Sequence, residues 1–145
     1  MSVLTDICWR IDEEVDFSTV KMVKEDDHLD ITDDKMNEIP FKTIGKVILR
    51  VPTHRFNVKH QYIVILDNMT VSDILTLIYN FYNSSLYKSE VMKYPDDCLG
   101  IVQSIKYKIN NNESCKWIDL MGDLKFFEGF AYSQKDNLWD LVLGS

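Results

Sequence analysis

Lys46-Val-Ile-Leu-Arg-Val51, Gln61-Tyr-Ile-Val-Ile-Leu66 and Thr70-Val-Ser-Asp-Ile-Leu-Thr-Leu-Ile-Tyr-Asn-Phe-Tyr-Asn83 follow one another within residues 43–83, and their reading decides the fold. The first two are β-branched and aromatic runs, too short for helices and bounded by turn formers, so they read as strands. Alternation sends Val47, Leu49 and Val51 to one face, where Ile63 and Ile65 can answer them. Pro52 closes the first run because it has no N–H to give to a ladder. Strands this close in sequence pair antiparallel most economically. Their connection, Thr53 to His60, is polar, basic and long for a tight hairpin, so the strands extend into it, with Arg55 to Lys59 near the tip.

The third run is an amphipathic helix in which every local signal agrees. Thr70 can cap it, and Asp73 at the third helical position completes a capping box with an acid where Glu or Gln is usual. Val71, Ile74, Leu75, Ile78 and Tyr82 then recur at three- and four-residue intervals and form one apolar stripe. Asn83, Ser84 and Ser85 offer the backbone alternatives to the helical ladder and end it near Asn83.

Downstream, Tyr87 to Lys93 reads as a short helix stopped by Tyr94-Pro95. Ile101 to Ile109 alternates, with Ile101, Gln103, Ile105, Tyr107 and Ile109 on one face, and is expected to be a long strand turned at Asn110 to Glu113. Lys116 to Met121 is expected to return as a further strand. Phe130 to Tyr132, the polar turn Ser133 to Asn137, and Leu138 to Leu143 read as a closing hairpin. The expected fold is α+β, a mostly antiparallel sheet packed on one main helix over residues 70–83.

Strand, turn, strand and Thr-capped helix, in that order from Thr43 to Asn83, resemble the opening of a β-grasp, or ubiquitin-like, fold. The likeness rests on Lys46 to Val51, Tyr62 to Leu66 and the Thr70-Val start of the helix. The chain is much longer than a minimal module of that kind, carries an acidic N-terminal section, and ends Leu143-Gly-Ser145 where conjugation needs paired glycines. The resemblance therefore implies a binding or scaffold use of the fold rather than a conjugated modifier.

With 145 residues, 46% of them hydrophobic and 27% charged, the chain fits a single globular domain with a core large enough to need no staples. Residues 1–38 carry twelve acids against four bases, a net charge of −8, whereas residues 39–145 sum to +1. Acidity thus belongs to an N-terminal section, expected to be partly packed on a nearly neutral domain spanning 39–145. Within it Ile7, Trp9, Ile11, Val15 and Phe17 run through the acids, so one or two strands are expected, with Glu25 to Asp34 as an exposed acidic loop. That loop, with Glu25, Asp26 and Asp27 at its head, reads either as a landing site for a basic partner or as a solvated surface. It lacks the ligand spacing of an EF-hand.

Lysine outnumbers arginine 13 to 3 and alanine occurs only at Ala131, a usage that AT-rich codons produce and that points to an AT-rich genome such as that of a large DNA virus. Three cysteines without a Cys-x-x-Cys pair, no apolar run long enough to span a membrane, and an N-terminus without a signal-peptide pattern imply an intracellular, cytoplasmic protein with reduced thiols.

Catalytic motifs are lacking. The sequence has no phosphate-cradling glycine loop and no Gly-x-Ser-x-Gly elbow. Cys98 follows Asp96-Asp97, which would raise its pKa, while Cys115 beside Lys116 is more favourable for a nucleophile. Asp123 and Glu128 are the other least poor catalytic candidates, for an enzyme whose site is assembled from distant residues. His54 and His60 fit no zinc-ligand spacing and read as surface histidines. No cofactor is expected. Arg55, Lys59 and His60 around Phe56 would suit nucleic acid locally, but overall acidity and scarce arginine oppose it; an acidic mimic of nucleic acid is a further alternative. Large aromatics gather late in the chain, and Phe126-Phe127 cannot both face inward in a strand, so Phe126, Phe127 and Trp139, with Arg55 and Phe56, are the candidate partner contacts. The expectation is a non-enzymatic protein-interaction or structural module, able to form homo-oligomers.

Overall fold

The computed structural model describes residues 2–55 and 59–145. Along the chain it contains β1 (Ser2–Val3), β2 (Ile7–Cys8), β3 (Lys21–Lys24), β4 (Asp27–Asp30), α1 (Asp33–Met36), β5 (Val47–Pro52), β6 (His60–Ile65), α2 (Val71–Tyr82), α3 (Lys88–Val91), α4 (Ile101–Asn110), a 3-10 turn (Trp117–Met121), β7 (Phe126–Ser133) and β8 (Leu138–Gly144). It is an α+β fold with two open sheets, one of five strands in the order β1-β7-β8-β5-β6 and one of three in the order β2-β3-β4. Among the described residues no helix is long and apolar enough to cross a membrane.

Hairpin β5–β6 forms with Val47 opposite Ile65 and Leu49 opposite Ile63, as the alternation requires. Behind it α2 begins at Thr70, whose hydroxyl accepts from the Asp73 N–H at 3.1 Å while the Asp73 carboxylate accepts from the Thr70 N–H at 3.0 Å. Val71, Ile74, Leu75, Ile78 and Tyr82 are the buried residues of this helix, and they share one core with Val47, Leu49, Val51, Ile65, Phe130 and Leu141 of the large sheet. The closing hairpin β7–β8 also forms, around Ser133 opposite Leu138.

Its placement makes the large sheet mixed. β8 lies beside β5 and runs parallel to it, with Leu49 level with Trp139 and Arg50 with Asp140. The mostly antiparallel expectation thus holds for every pairing of this sheet except the central one.

Two expected strands are helical. Ile101 to Ile109 forms α4, because Ile101, Ile105 and Ile109 recur every four residues as well as every second one, and the helical period wins once the N-terminus is capped. The N-cap residue, Gly100, has no side chain to offer, and the Asp97 carboxylate takes its place, accepting from the N–H groups of Ile101 and Val102 at 2.9 and 3.3 Å. Lys116 to Met121 instead makes the 3-10 turn, opened by the Asp119 carboxylate on the Lys116 N–H at 2.8 Å. Trp117, Ile118, Leu120 and Met121 are all buried, four core residues within five positions, which a strand with one buried face cannot supply.

The N-terminal section is more structured than expected. Leu4, Ile7, Trp9, Ile11, Val20, Ile31 and Met36 belong to the same core as the sheet and α2. Glu25 to Asp34 is not one loop: Glu25 and Asp26, both at positive φ, form the two-residue turn between β3 and β4, and Thr32 caps α1 through the Lys35 N–H at 3.2 Å. Residues 9–11 run along the start of β7, through Phe127 N–H to the Trp9 carbonyl at 2.8 Å and Ile11 N–H to the Lys125 carbonyl at 2.9 Å. β1 pairs with the far end of β7. Between these contacts β7 shifts register at Gly129, which has φ +98° and where an added Cβ would lie 2.7 Å from the Val3 carbonyl oxygen. Gly129→Ala is therefore expected to destabilise the protein by about 2 kcal/mol or more, read as a lowered midpoint of chemical denaturation.

Candidate functional site

The large sheet has one face under α2 and one that, among the described residues, no helix covers. On β5, Ile48 and Arg50 point to the uncovered face, opposite Val64 and Tyr62 of β6; from β8, Asp140, level with Arg50, and Val142 join them. The aliphatic and aromatic members are exposed: Tyr62 by 58% and Val64 by 48%, with Ile48 and Val142 also open to solvent. A groove of about 480 Å³ continues this surface past Ile44 and Ile48 to Tyr132, Leu138 and Trp139.

At the centre of the face the Arg50 guanidinium holds Asp140 with two hydrogen bonds, at 2.6 and 3.1 Å, and Asp136 with a third at 3.0 Å. The two carboxylates raise the Arg50 pKa above its ordinary value. This cluster borders a cavity of about 460 Å³ lined by Pro52, Arg55, His60 and Leu124. Arg55 is itself paired with Asp123, and Arg10 with Asp12. All three arginines of the chain are thus committed to acids.

β6 closes the sheet on one side and, among the described residues, has no neighbouring strand beyond it. Gln61 to Leu66 contains no charge and no proline, and its pairing to β5 runs without a bulge. Among the described residues, charge, proline and bulge, three devices that blunt an edge strand, do not occur from Gln61 to Ile65. The other edge, β1, is two residues long.

The chain matches no family model, no curated protein and no solved structure.

Of the residues singled out from sequence, Phe126 is exposed, with the Arg10 guanidinium 5.3 Å from its ring centre. Phe127 and Trp139 are each 3% exposed. Phe127 packs on Trp9 and Phe130, and Trp139 on Phe41 and Tyr132. Glu25, Asp26 and Asp27 are exposed on the β3–β4 hairpin. Arg55 lines the Arg50 cavity, and Phe56 lies outside the described residues. Cys115 is buried, and burial followed by the nearby Asp119 charge pushes its thiol pKa up, the opposite of what a nucleophile needs. Asp123 is exposed and engaged with Arg55, and Glu128 is exposed. Among the described residues no cluster of three or more His, Cys, Asp or Glu is arranged to hold a metal.

His54 is not a surface residue. It is 1% exposed, and its Nε2 lies 2.7 Å from Asp97 Oδ2. The neighbouring Thr53 hydroxyl donates to the Lys59 carbonyl at 2.8 Å and so accepts from the Tyr94 hydroxyl. Tyr82 donates to the Pro52 carbonyl at 2.5 Å. Three successive residues at the end of β5 thereby hold α2, Tyr94 and the start of α4. Besides the imidazole, Asp97 accepts from the N–H groups of Leu99, Ile101 and Val102, the arrangement of a helix cap rather than of a base awaiting substrate. The only sequence signal was an Asp placed three residues ahead of Gly100.

Burial alone would raise the Asp97 pKa, but the His54 hydrogen bond and the two helix N–H groups outweigh it and hold it below the ordinary carboxylate value. A carboxyl lowered on folding stabilises the native state above its unfolded pKa, and that contribution is lost as the pH falls through the folded value. Asp97→Asn is expected to cost roughly 1–3 kcal/mol at neutral pH. The gap to wild type should close in the acid range, measured by urea denaturation at a series of pH values.

Proposed function

We propose that this chain is a non-enzymatic protein-interaction module that accepts an extended segment of another chain along the free edge of β6. The observation that carries the reading is the edge itself: Gln61 to Ile65, five residues of uncharged, unbulged, β-rich strand that include exposed Tyr62 and Val64. Such an edge offers unpaired backbone N–H and C=O groups to an added strand, and the side-chain row on the uncovered face selects for apolar alternate residues in it. The preferred partner is accordingly an extended, apolar, β-branched segment.

A β-grasp-like reading of the scaffold draws support from the hairpin, helix and returning strand, with that strand parallel to the hairpin's first strand at the sheet centre. The commitment of all three arginines to carboxylates speaks against phosphate recognition. The burial of Cys115 and the capping role of Asp97 speak against a cysteine or His–Asp catalyst. The AT-rich residue usage favours an accessory or virion protein of a large DNA virus as the setting.

Val64→Lys tests the reading, because it puts a charge on the edge at an already exposed position. Capture from the native cell with wild-type and variant chains is expected to lose the bound partners in the variant, while the thermal midpoint stays close to wild type. Recovery of the same partners by both chains would overturn it.

A further inference from the structure

We infer that the strand added to β6 is the β6 of a second copy, paired antiparallel about a two-fold axis through Ile63 so that two five-stranded sheets become one of ten. This deepens the edge-strand reading and rests on it.

The charges flanking the strand carry the argument. Lys59 stands immediately before β6 and Asp67 follows Leu66, with no formal charge from Gln61 to Leu66. Both are exposed, and neither is in an ion pair among the described residues. A two-fold axis normal to the sheet keeps the uncovered faces of both copies on the same side, so allowed registers differ by steps of two residues. Lys59 lies in the bend just before β6 and Asp67 in the turn just after it, and the register centred on Ile63 is the one that, carried past the strand ends, brings Lys59 of each copy to Asp67 of the other. Centring on Tyr62 would set Lys59 against Ile65, and centring on Val64 would set Asp67 against Gln61. A parallel, in-register pairing would put lysine beside lysine and aspartate beside aspartate.

The Ile63 register satisfies the rest of the strand as well. Tyr62 faces the second copy's Val64 and Val64 its Tyr62, two aromatic to β-branched pairs on the uncovered face. On the other face Ile63 meets its own symmetry mate, and Gln61 meets Ile65. The contact is self-complementary, as a two-fold interface must be, and it closes at two copies because each β6 edge is consumed by the other.

Analytical ultracentrifugation of the full chain across a concentration range, with Lys59→Asp, Asp67→Lys and their equimolar mixture, tests the assignment. Wild type is expected to dimerise reversibly. Each single variant places like charges at both ends of the joint and should weaken dimerisation by roughly fivefold or more. The mixture restores both opposite-charge contacts and should recover wild-type affinity as a heterodimer. A wild-type chain that stays monomeric, or single variants that dimerise as tightly as wild type, would overturn the inference. If the chain is monomeric and Val64→Lys still abolishes capture of other proteins, the edge-strand reading survives without the dimer. If Val64→Lys leaves that capture unchanged, the edge-strand reading falls with it.

Discussion

The parallel pairing of β5 with β8 is the contact on which the molecule depends. It joins two hairpins, each local in sequence, into one sheet, and it does so across 90 residues, with the Arg50 guanidinium clamping Asp140 from one strand to the other. On the α2 side Leu49 and Trp139 sit level at the same place, and Trp139 then seats Phe41. Removing that seam would leave α2 facing a two-stranded ribbon, which is marginal in water by itself. The seam costs loop-closure entropy that grows only slowly with length, so a helical excursion between the hairpins is tolerated.

That excursion is tied back to the end of β5. Pro52, Thr53 and His54 leave β5 and take up Tyr82, Tyr94 and Asp97 in succession. These groups are buried and polar, and the described residues contain no buried side-chain nitrogen or oxygen left without a partner. A satisfied network of this kind rigidifies the position it occupies. It fixes where Tyr94, just after α3, and the start of α4 sit.

Elements whose determinants lie within a few residues were legible in the sequence. The β5–β6 register, the capping box of α2, the short helix before Pro95 and the β7–β8 hairpin all follow from local alternation, caps and turns. Where two periods fit the same residues, the sequence alone could not choose: Ile101, Ile105 and Ile109 satisfy both, and the decision lay with Asp97 and its bond to a histidine 43 residues earlier. The same gap hid the buried state of His54, since its partner is remote. For the candidate site, the split between Phe126 and Phe127 was readable from adjacency. The uncovered face was not, because exposure of Tyr62 and Val64 depends on the route of the chain after β6. The burial of Trp139 was not readable either, because it comes from β5 and Phe41, far away in sequence.

The seam between β5 and β8 also sets an order of events during synthesis. When β5, β6 and α2 have left the ribosome, the strand that flanks β5 has yet to be made, and at roughly 5–20 residues per second it arrives seconds later. Throughout that interval the hairpin exposes hydrogen-bonding groups along both its sides instead of one. β1, made first, waits longest, because its partner Ala131 lies far downstream. The large sheet is therefore completed only once β8 has been made, and both sides of β5–β6 stay unshielded until then.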